Sequence, residues 1–147
     1  MGLLMNKGEI AKAIFLSGAN CCQSVVLAFK EELNMDEETL KKLSIGFGGG
    51  VGRQREVCGA VLGMTMVLSY LLSDGQDKLA IYKIIQDACA EFKAEVGSIV
   101  CANLLDGQTL KDKSCVPEKR TESYYKKRPC ADLCLLAGEI TQKYLNL

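Results

Sequence analysis

The longest apolar run of the chain, Val57 to Leu72, limits what the chain can fold into. It is shorter than the ~20 residues that a helix needs to cross a bilayer. It also contains Gly59, Gly63, Thr65 and Ser69, which are small or polar. The run therefore predicts a buried core helix and not a membrane span.

Helical patterns cover most of the remaining chain. Apolar residues recur at helical spacing, with capping residues before and glycines after several of the segments. Asn20 and Gln23 form a predicted capping box, and Gly97 is a predicted helix end. The predicted helices cover residues 9–16, 20–33, 36–46, 55–73, 78–96, 98–107 and 129–145. On helix 78–96 the predicted inward face consists of Tyr82, Ile85, Cys89, Phe92 and Val96. No alternating strand pattern competes, so the sequence predicts an all-α, single-domain bundle of about six or seven helices over residues 1–147.

The charge balance gives no sign of a polyanionic partner. Eighteen basic residues match eighteen acidic ones, so nothing global attracts nucleic acid or an anionic membrane. The start, MGLLMNKGEI, lacks the pattern of a secretory signal peptide. We therefore expect a cytoplasmic protein with no membrane span and no nucleic-acid partner.

The chain combines eight cysteines with no histidine. In a reducing cytosol this composition indicates redox chemistry, metal binding or inert buried thiols. The lack of histidine excludes a Cys-His protease and a His-ligated zinc or haem. No CxxC pair is present, so a thioredoxin-type motif is also excluded.

Four of the cysteines stand at predicted helix starts. They are Cys21 after Asn20, Cys58 after a glycine-rich loop, Cys101 after Ser98, and Cys130 after Pro129. The N–H groups and partial positive charge of a helix start stabilise a thiolate, and Arg53 and Arg55 add positive charge near Cys58. We therefore expect a lowered pKa at Cys58, which becomes the predicted nucleophile or principal ligand. The alternative is that these small apolar residues only fill the core.

The segment GFGGGVGRQREVCGAVLG places its glycines directly before Cys58. A phosphate cradle is disfavoured, because the loop follows a helix and no GK[ST] is present. We expect instead a tight loop between helices, in which Gly48, Gly49, Gly50 and Arg53 could hold a cofactor or an anionic sulfur beside Cys58. Gly59 and Gly63 form a flat helix face that lets another helix approach closely.

The other cysteines are assigned to packing or to the surface. Cys89 and Cys134 are predicted core residues, with a supporting ligand as the alternative for Cys134. Cys22 points away from Cys21, and Cys115 lies in a polar loop. The roles of these four stay open at the sequence level.

Taken together, these segments give the chain a family resemblance. It resembles the C_GCAxxG_C_C family of redox-active proteins, whose central motif is commonly CGAxxG. The resemblance spans AKAIFLSGANCCQSVVLAF, GFGGGVGRQREVCGAVLG, GSIVCANLL and PCADLCLLAGEI. It places the family's recurrent cysteines on Cys21, Cys58, Cys101 and Cys130. The resemblance implies a small helical redox protein, and related domains in some cytochromes imply an iron–sulfur centre as an option. This chain differs in having VCGA in place of GCA, and in the extra cysteines Cys22 and Cys134.

Three hypotheses remain. The first is a thiol-dependent oxidoreductase that cycles a dithiol and a disulfide among the four cysteines, with a redox partner protein or a small thiol as its partner. The second is a zinc ion or an iron–sulfur cluster held by four thiolates, those of Cys21, Cys58, Cys101 and Cys130. The third is a non-catalytic helical interaction module.

The segment KDKSCVPEKRTESYYKKR, residues 111–128, holds seven basic and three acidic residues. We favour a solvated connector, because charge runs between helices usually mean only that. In the alternative, the segment borders the cysteine pocket and steers an acidic electron carrier or an anionic small thiol towards it. Tyr124 and Tyr125 would then supply contact surface.

Overall fold

The computed structural model describes residues 6–105 and 114–147. This part of the chain is helical, apart from loops, turns and one isolated antiparallel bridge between Val57 and Val100. The helices are α1 (Lys7–Leu16), α2 (Cys21–Ala28), α3 (Lys30–Leu33), α4 (Glu37–Ser44), α5 (Gly59–Leu72), α6 (Lys78–Val96), α7 (Cys101–Leu104), α8 (Glu122–Lys127) and α9 (Cys130–Tyr144). A 3₁₀ turn, Ile45–Phe47, and a helical turn, Gly48–Val51, connect α4 to the loop before α5. The predicted all-α fold is confirmed.

Local capping chemistry sets several of these boundaries as predicted. The Asn20 side chain accepts a hydrogen bond from the Gln23 N–H, and the Gln23 side chain accepts one from the Asn20 N–H, which completes the capping box of α2. Asp77 caps the start of α6, and Gly97 ends that helix at a φ of 94°. Helix α5 begins later than predicted, because Arg55 has a φ of 65° and cannot continue a right-handed helix.

Helices α2 and α5 form the centre of the core, with α1 and α9 packed around them. The predicted flat face on α5 is present. A Cβ atom on Gly63 would come within 2.9 Å of the Val25 Cβ and 3.0 Å of the Cys22 carbonyl oxygen. Any larger residue at Gly63 would therefore push α2 away from α5.

Helix α1 crosses α9 at a second pair of glycines. A Cβ atom on Gly138 would lie 2.7 Å from the Gly8 Cα, so the two backbones are in direct contact. The Lys7 N–H donates to the Gln142 side chain at 2.7 Å beside this crossing. The first and last described helices are thus closely joined.

Three details of the sequence prediction are wrong. On α6, Tyr82 and Val96 were predicted to face inward but are 60% and 36% exposed. Phe92 is buried as predicted, and the other buried position is Ala88. This helix packs on α5 and α9 along one narrow stripe, so most of its surface faces water. Helix α7 begins at Cys101, and Ser98 instead accepts a hydrogen bond from the Val100 N–H. Residues 122–127, which belong to no predicted helix, form α8, while residues 106–113 lie outside the described part of the chain. Among the described residues, none of the helices combines the length and apolar character that crossing a membrane requires.

Candidate functional site

The four cysteines at helix starts line one cavity of about 60 Å³. Cys21, Cys101 and Cys130 are the first residues of α2, α7 and α9, and Cys58 is the N-cap of α5. They are far apart in sequence but come together because four helices begin at the same end of the core. The four cysteines that the sequence placed at helix starts therefore share one cavity.

The antiparallel bridge holds Cys58 and Cys101 side by side. The Cys58 N–H donates to the Ile99 carbonyl at 2.7 Å, and the Cys101 N–H donates to the Glu56 carbonyl at 2.6 Å. These two bonds flank the bridge between Val57 and Val100. Sequence reasoning missed this bridge, because a pairing this short has no alternating pattern to detect.

Cys21 occupies space that a glycine leaves open. A Cβ atom on Gly59 would lie 2.3 Å from the Cys21 Sγ and 2.9 Å from the Phe47 carbonyl oxygen. The Cys21 sulfur therefore rests on the first residue of α5, next to Cys58. Its backbone carbonyl faces the Cys134 Sγ at 3.7 Å, which ties α2 to α9.

Cys21 is the common electrostatic neighbour of the other three cavity thiols. A charge on Cys21 raises the pKa of Cys58, Cys101 and Cys130. Two thiolates in this cavity would thus repel each other, which favours one ionised sulfur at a time.

The expected low pKa at Cys58 is wrong. Burial raises the pKa of this thiol well above its ordinary value, and the neighbouring Cys21 raises it further. The N–H groups of Ala60 and Val61 act in the opposite direction, as expected at a helix start, but burial has the larger effect. The Cys58 side chain is 4% exposed, so its sulfur is removed from the water that would solvate a thiolate.

Two buried guanidinium groups contact the thiols. Arg55 is 2% exposed and hydrogen-bonds to Cys101, while Arg128 hydrogen-bonds to Cys130. Burial raises the pKa of Cys101, and Arg55 partly offsets the rise. Burial and Cys21 raise the pKa of Cys130 to about 12, against the opposing effect of Arg128. Each arginine would stabilise a thiolate formed beside it.

The four loop residues that the sequence offered as a site for a cofactor or an anionic sulfur have different surroundings. Gly49 lines the cavity. Gly48 packs on the Asn20 side chain, and Gly50 packs on the backbone of Arg55. Arg53 points away from the cavity, where it donates to the Ser114 carbonyl at 2.5 Å and to the Val116 carbonyl, and forms an ion pair with Glu118. The expected positive φ is present at Gly49 and Gly50, with values of 67° and 71°.

Residues 114–128, which we call the strap, cover the cavity. Arg120 donates to the Phe15 and Ala19 carbonyls at 2.9 and 2.8 Å and stacks 4.3 Å from the centre of the Phe15 ring. Arg128 pairs with Glu118, and its side chain is 7% exposed. Most residues of the strap are exposed, as expected of a solvated connector, but that interpretation is wrong for Arg120 and Arg128, which turn inward. Arg120 and Arg128 line the cavity together with Tyr124, whose pKa burial raises to about 12.

The remaining cysteines differ in their surroundings. Cys22 and Cys134 are completely buried, and Cys22 contacts the Met66 sulfur at 3.7 Å. Cys134 interacts electrostatically with Cys21, Cys58 and Cys130, so it lies next to the cavity without lining it. Cys89 is partly buried against the core, and Cys115 is exposed as predicted.

The comparison with family models gives one match. The model described as "Putative redox-active protein (C_GCAxxG_C_C)" matches residues 19–144, which is most of the chain. The chain belongs to the C_GCAxxG_C_C family. The comparisons with curated proteins and with solved structures returned no match.

The family motif has a direct structural meaning in this C_GCAxxG_C_C protein. In the segment CGAVLG, Cys58 lines the cavity, Gly59 makes room for the Cys21 sulfur, and Gly63 makes room for the α2 backbone. Ala60 is completely buried between them. The motif therefore specifies both one thiol and the close approach of the helix that carries a second.

The described residues contain no preformed metal site of the kind that the metal hypothesis requires. Within residues 6–105 and 114–147, no three Cys, His, Asp or Glu side chains lie close enough together to hold one metal ion. A zinc site made of cysteines alone needs four thiolates about 2.3 Å from the metal. All eight cysteines are free thiols, and burial raises the pKa of three of the four that line the cavity.

Proposed function

We propose that this C_GCAxxG_C_C protein is a thiol oxidoreductase that exchanges disulfides with a redox partner. The observation that carries the proposal is the meeting of four helix-start cysteines in one cavity, with Cys21 beside the other three. A cluster of thiols with arginines that stabilise thiolates suits stepwise disulfide exchange.

Cys130 is the thiol that reacts first with an external disulfide. Cys130 is the most exposed residue of the four, since Cys21, Cys58 and Cys101 are 8% exposed or less. Arg128 stabilises the Cys130 thiolate during attack. The Cys130 sulfur forms a bond to one sulfur of the partner disulfide, and the other partner sulfur leaves as a thiolate and takes up the Cys130 proton.

Cys21 completes the reaction. Its sulfur attacks the Cys130 sulfur of the mixed disulfide, which forms the Cys21–Cys130 disulfide and releases the second partner thiolate. That thiolate takes up the Cys21 proton, so two protein thiols are oxidised and one partner disulfide is reduced to two thiols. Cys58, which the sequence suggested as the nucleophile, is more deeply buried and becomes an inner thiol that interacts electrostatically with Cys21.

The test begins with protein purified under anaerobic conditions. A visible spectrum and metal analysis come first, followed by oxidation with a small disulfide and mapping of the bonds by mass spectrometry. We expect a colourless, metal-free protein that loses two thiols per oxidation and contains Cys21–Cys130. Stoichiometric iron or zinc bound to the protein would overturn the thiol mechanism, and an absence of disulfides among the four cysteines would do the same.

Single substitutions assign the roles. Cys130→Ser should abolish oxidation, and Cys21→Ser should trap the mixed disulfide on Cys130. Cys89→Ser is the matched control, because Cys89 is partly buried but lies outside the cavity. If Cys89→Ser slows oxidation as much as Cys130→Ser, the loss reflects general destabilisation and the assignment is wrong.

A further inference from the structure

A second and larger depression adjoins the cysteine cavity. It has a volume of about 500 Å³ and opens to solvent between the strap and the loop that follows α4. Its shared wall with the cavity consists of Asn20, Gly49, Arg55, Arg120, Tyr124 and Arg128. We call this depression the arginine cleft. Its volume is within the usual range for small-molecule sites.

The arginine cleft has an excess of positive charge. Arg53, Arg55, Arg120 and Arg128 line it, and among the described lining residues Glu118 is the one carboxylate. Glu118 pairs with both Arg53 and Arg128. Arg120 donates to the Phe15 and Ala19 carbonyls and to the Tyr125 hydroxyl, which are uncharged and leave its charge in place. The four arginines and one glutamate therefore give the cleft a local charge of +3.

The wall between the two spaces connects the positive charge to the thiols. Arg55 and Arg128 line both spaces, and they hydrogen-bond to Cys101 and Cys130. A molecule in the cleft thus lies on the side of Cys130, the most exposed residue of the four cavity cysteines. The cavity itself, at about 60 Å³, accommodates only a few atoms of such a molecule.

We propose that the arginine cleft binds a low-molecular-weight disulfide that carries carboxylates, with its sulfur atoms directed towards Cys130. This inference rests on the proposed function. The carboxylates pair with guanidinium groups, which present forked donors suited to them. In the exchange, Cys130 and Cys21 form a protein disulfide, and the bound disulfide becomes two carboxylate-bearing thiols that take up the two thiol protons.

The proposed anion site lies between the strap and the loop that follows α4, and not on the outer face of the strap. The exposed residues Lys126 and Lys127, which the sequence offered as a steering surface, do not line the cleft. This difference provides a matched pair of variants. Arg53→Gln removes one charge from the cleft without touching the cysteine cavity, and Lys126→Gln removes one charge from the outer face of the strap.

The experiment uses three small disulfides of similar size and different charge. They are 3,3′-dithiodipropionate, bis(2-hydroxyethyl) disulfide and cystamine, which are dianionic, neutral and dicationic. The oxidation rate of the full-length protein is measured by quenching and mass spectrometry, and each rate is divided by that of the same disulfide with dithiothreitol. We expect the normalised rate for the dianionic compound to exceed that of the neutral one about 10-fold, with cystamine slowest. Arg53→Gln should reduce the ratio of the dianionic to the neutral rate roughly 3–10-fold, and Lys126→Gln should leave this ratio unchanged.

The outcomes separate this inference from the proposed function. Equal normalised rates for the three disulfides would overturn the arginine cleft as an anion site and leave the thiol mechanism standing. A uniform slowing of all three by Arg53→Gln would also overturn it, because Arg53 would then act only by holding the strap. Failure of every disulfide to oxidise Cys21 and Cys130 would contradict the proposed function itself.

Discussion

Raising the pH from 8 to 10 should destabilise the reduced protein steeply. Burial strongly raises the pKa of Cys22, Cys58 and Cys134, and it raises the pKa of Cys130 to about 12. In the unfolded chain a thiol has a pKa of about 8.5. Above that value the unfolded state loses protons that the folded state keeps, so the free energy of unfolding falls as the pH rises.

The size of the effect follows from the number of buried thiols. When one thiol stays protonated in the folded state, its ionisation in the unfolded state lowers the free energy of unfolding by about 2 kcal/mol between pH 8 and pH 10. Four such thiols give a loss of roughly 8 kcal/mol, which is comparable to the whole stability of a typical domain. The buried thiols make their full contribution to the free energy of unfolding below about pH 8.5. Above that pH the contribution decreases until the thiols of the folded protein ionise as well.

Urea unfolding in the presence of a phosphine reductant measures this loss at half-unit steps from pH 7.5 to 10. Cys22→Ala should make the decrease in the free energy of unfolding between pH 8 and 10 smaller by about a quarter, because one of the four buried thiols is absent. Cys115→Ala serves as the control and should leave the slope unchanged, since the Cys115 thiol is exposed to water in the folded protein as well. A free energy of unfolding that stays constant between pH 8 and 10 would refute the reasoning, as would a slope that Cys22→Ala leaves intact.

Three further predictions concern individual residues. Gly59→Ala should lower the free energy of unfolding in urea by about 2 kcal/mol or more and displace Cys21, because the added Cβ would lie 2.3 Å from the Cys21 Sγ. Gly46→Ala is the control and should cost little, since the space around Gly46 is open. Equal costs for the two variants would contradict the close packing at Gly59. Asn20→Ala should lower stability by about 1 kcal/mol through loss of the α2 capping box, measured in the same way, and an unchanged midpoint would argue against it. Iodoacetamide should alkylate Cys130 more slowly than Cys115 at pH 7. The Cys130 rate should rise about tenfold per pH unit from pH 7 to 8.5, where the protein keeps its stability, as its pKa of about 12 requires, and a rate that levels off by pH 8.5 would contradict that pKa.

The sequence predicted those features of the site that depend on local chemistry. Asn20 and Gln23 mark the start of α2, and Pro129 precedes the start of α9, so two of the thiols could be placed at helix starts. The small residues Gly59 and Gly63 indicated a close helix approach, which depends only on the absence of side chains. The family resemblance then selected the same four cysteines that the helix starts had indicated.

The features that the sequence missed depend on contacts between distant segments. Arg128 follows two exposed lysines, and nothing in that pattern distinguishes the arginine that turns inward towards Cys130. The pKa of Cys58 was predicted in the wrong direction for a similar reason. A helix start is visible in the sequence, but the burial that outweighs it comes from the surrounding helices and the strap.

The glycine crossing of α1 and α9 has a consequence for the order of folding. Gly8 and Gly138 are in backbone contact although 130 residues separate them in the chain, and α9 also brings Cys130 to the site. A chain emerging from the ribosome therefore cannot close its core until α9 has been made. Until then the six cysteines that precede α9 are not buried in the folded core, so the newly made protein depends on a reducing environment to avoid non-native disulfides.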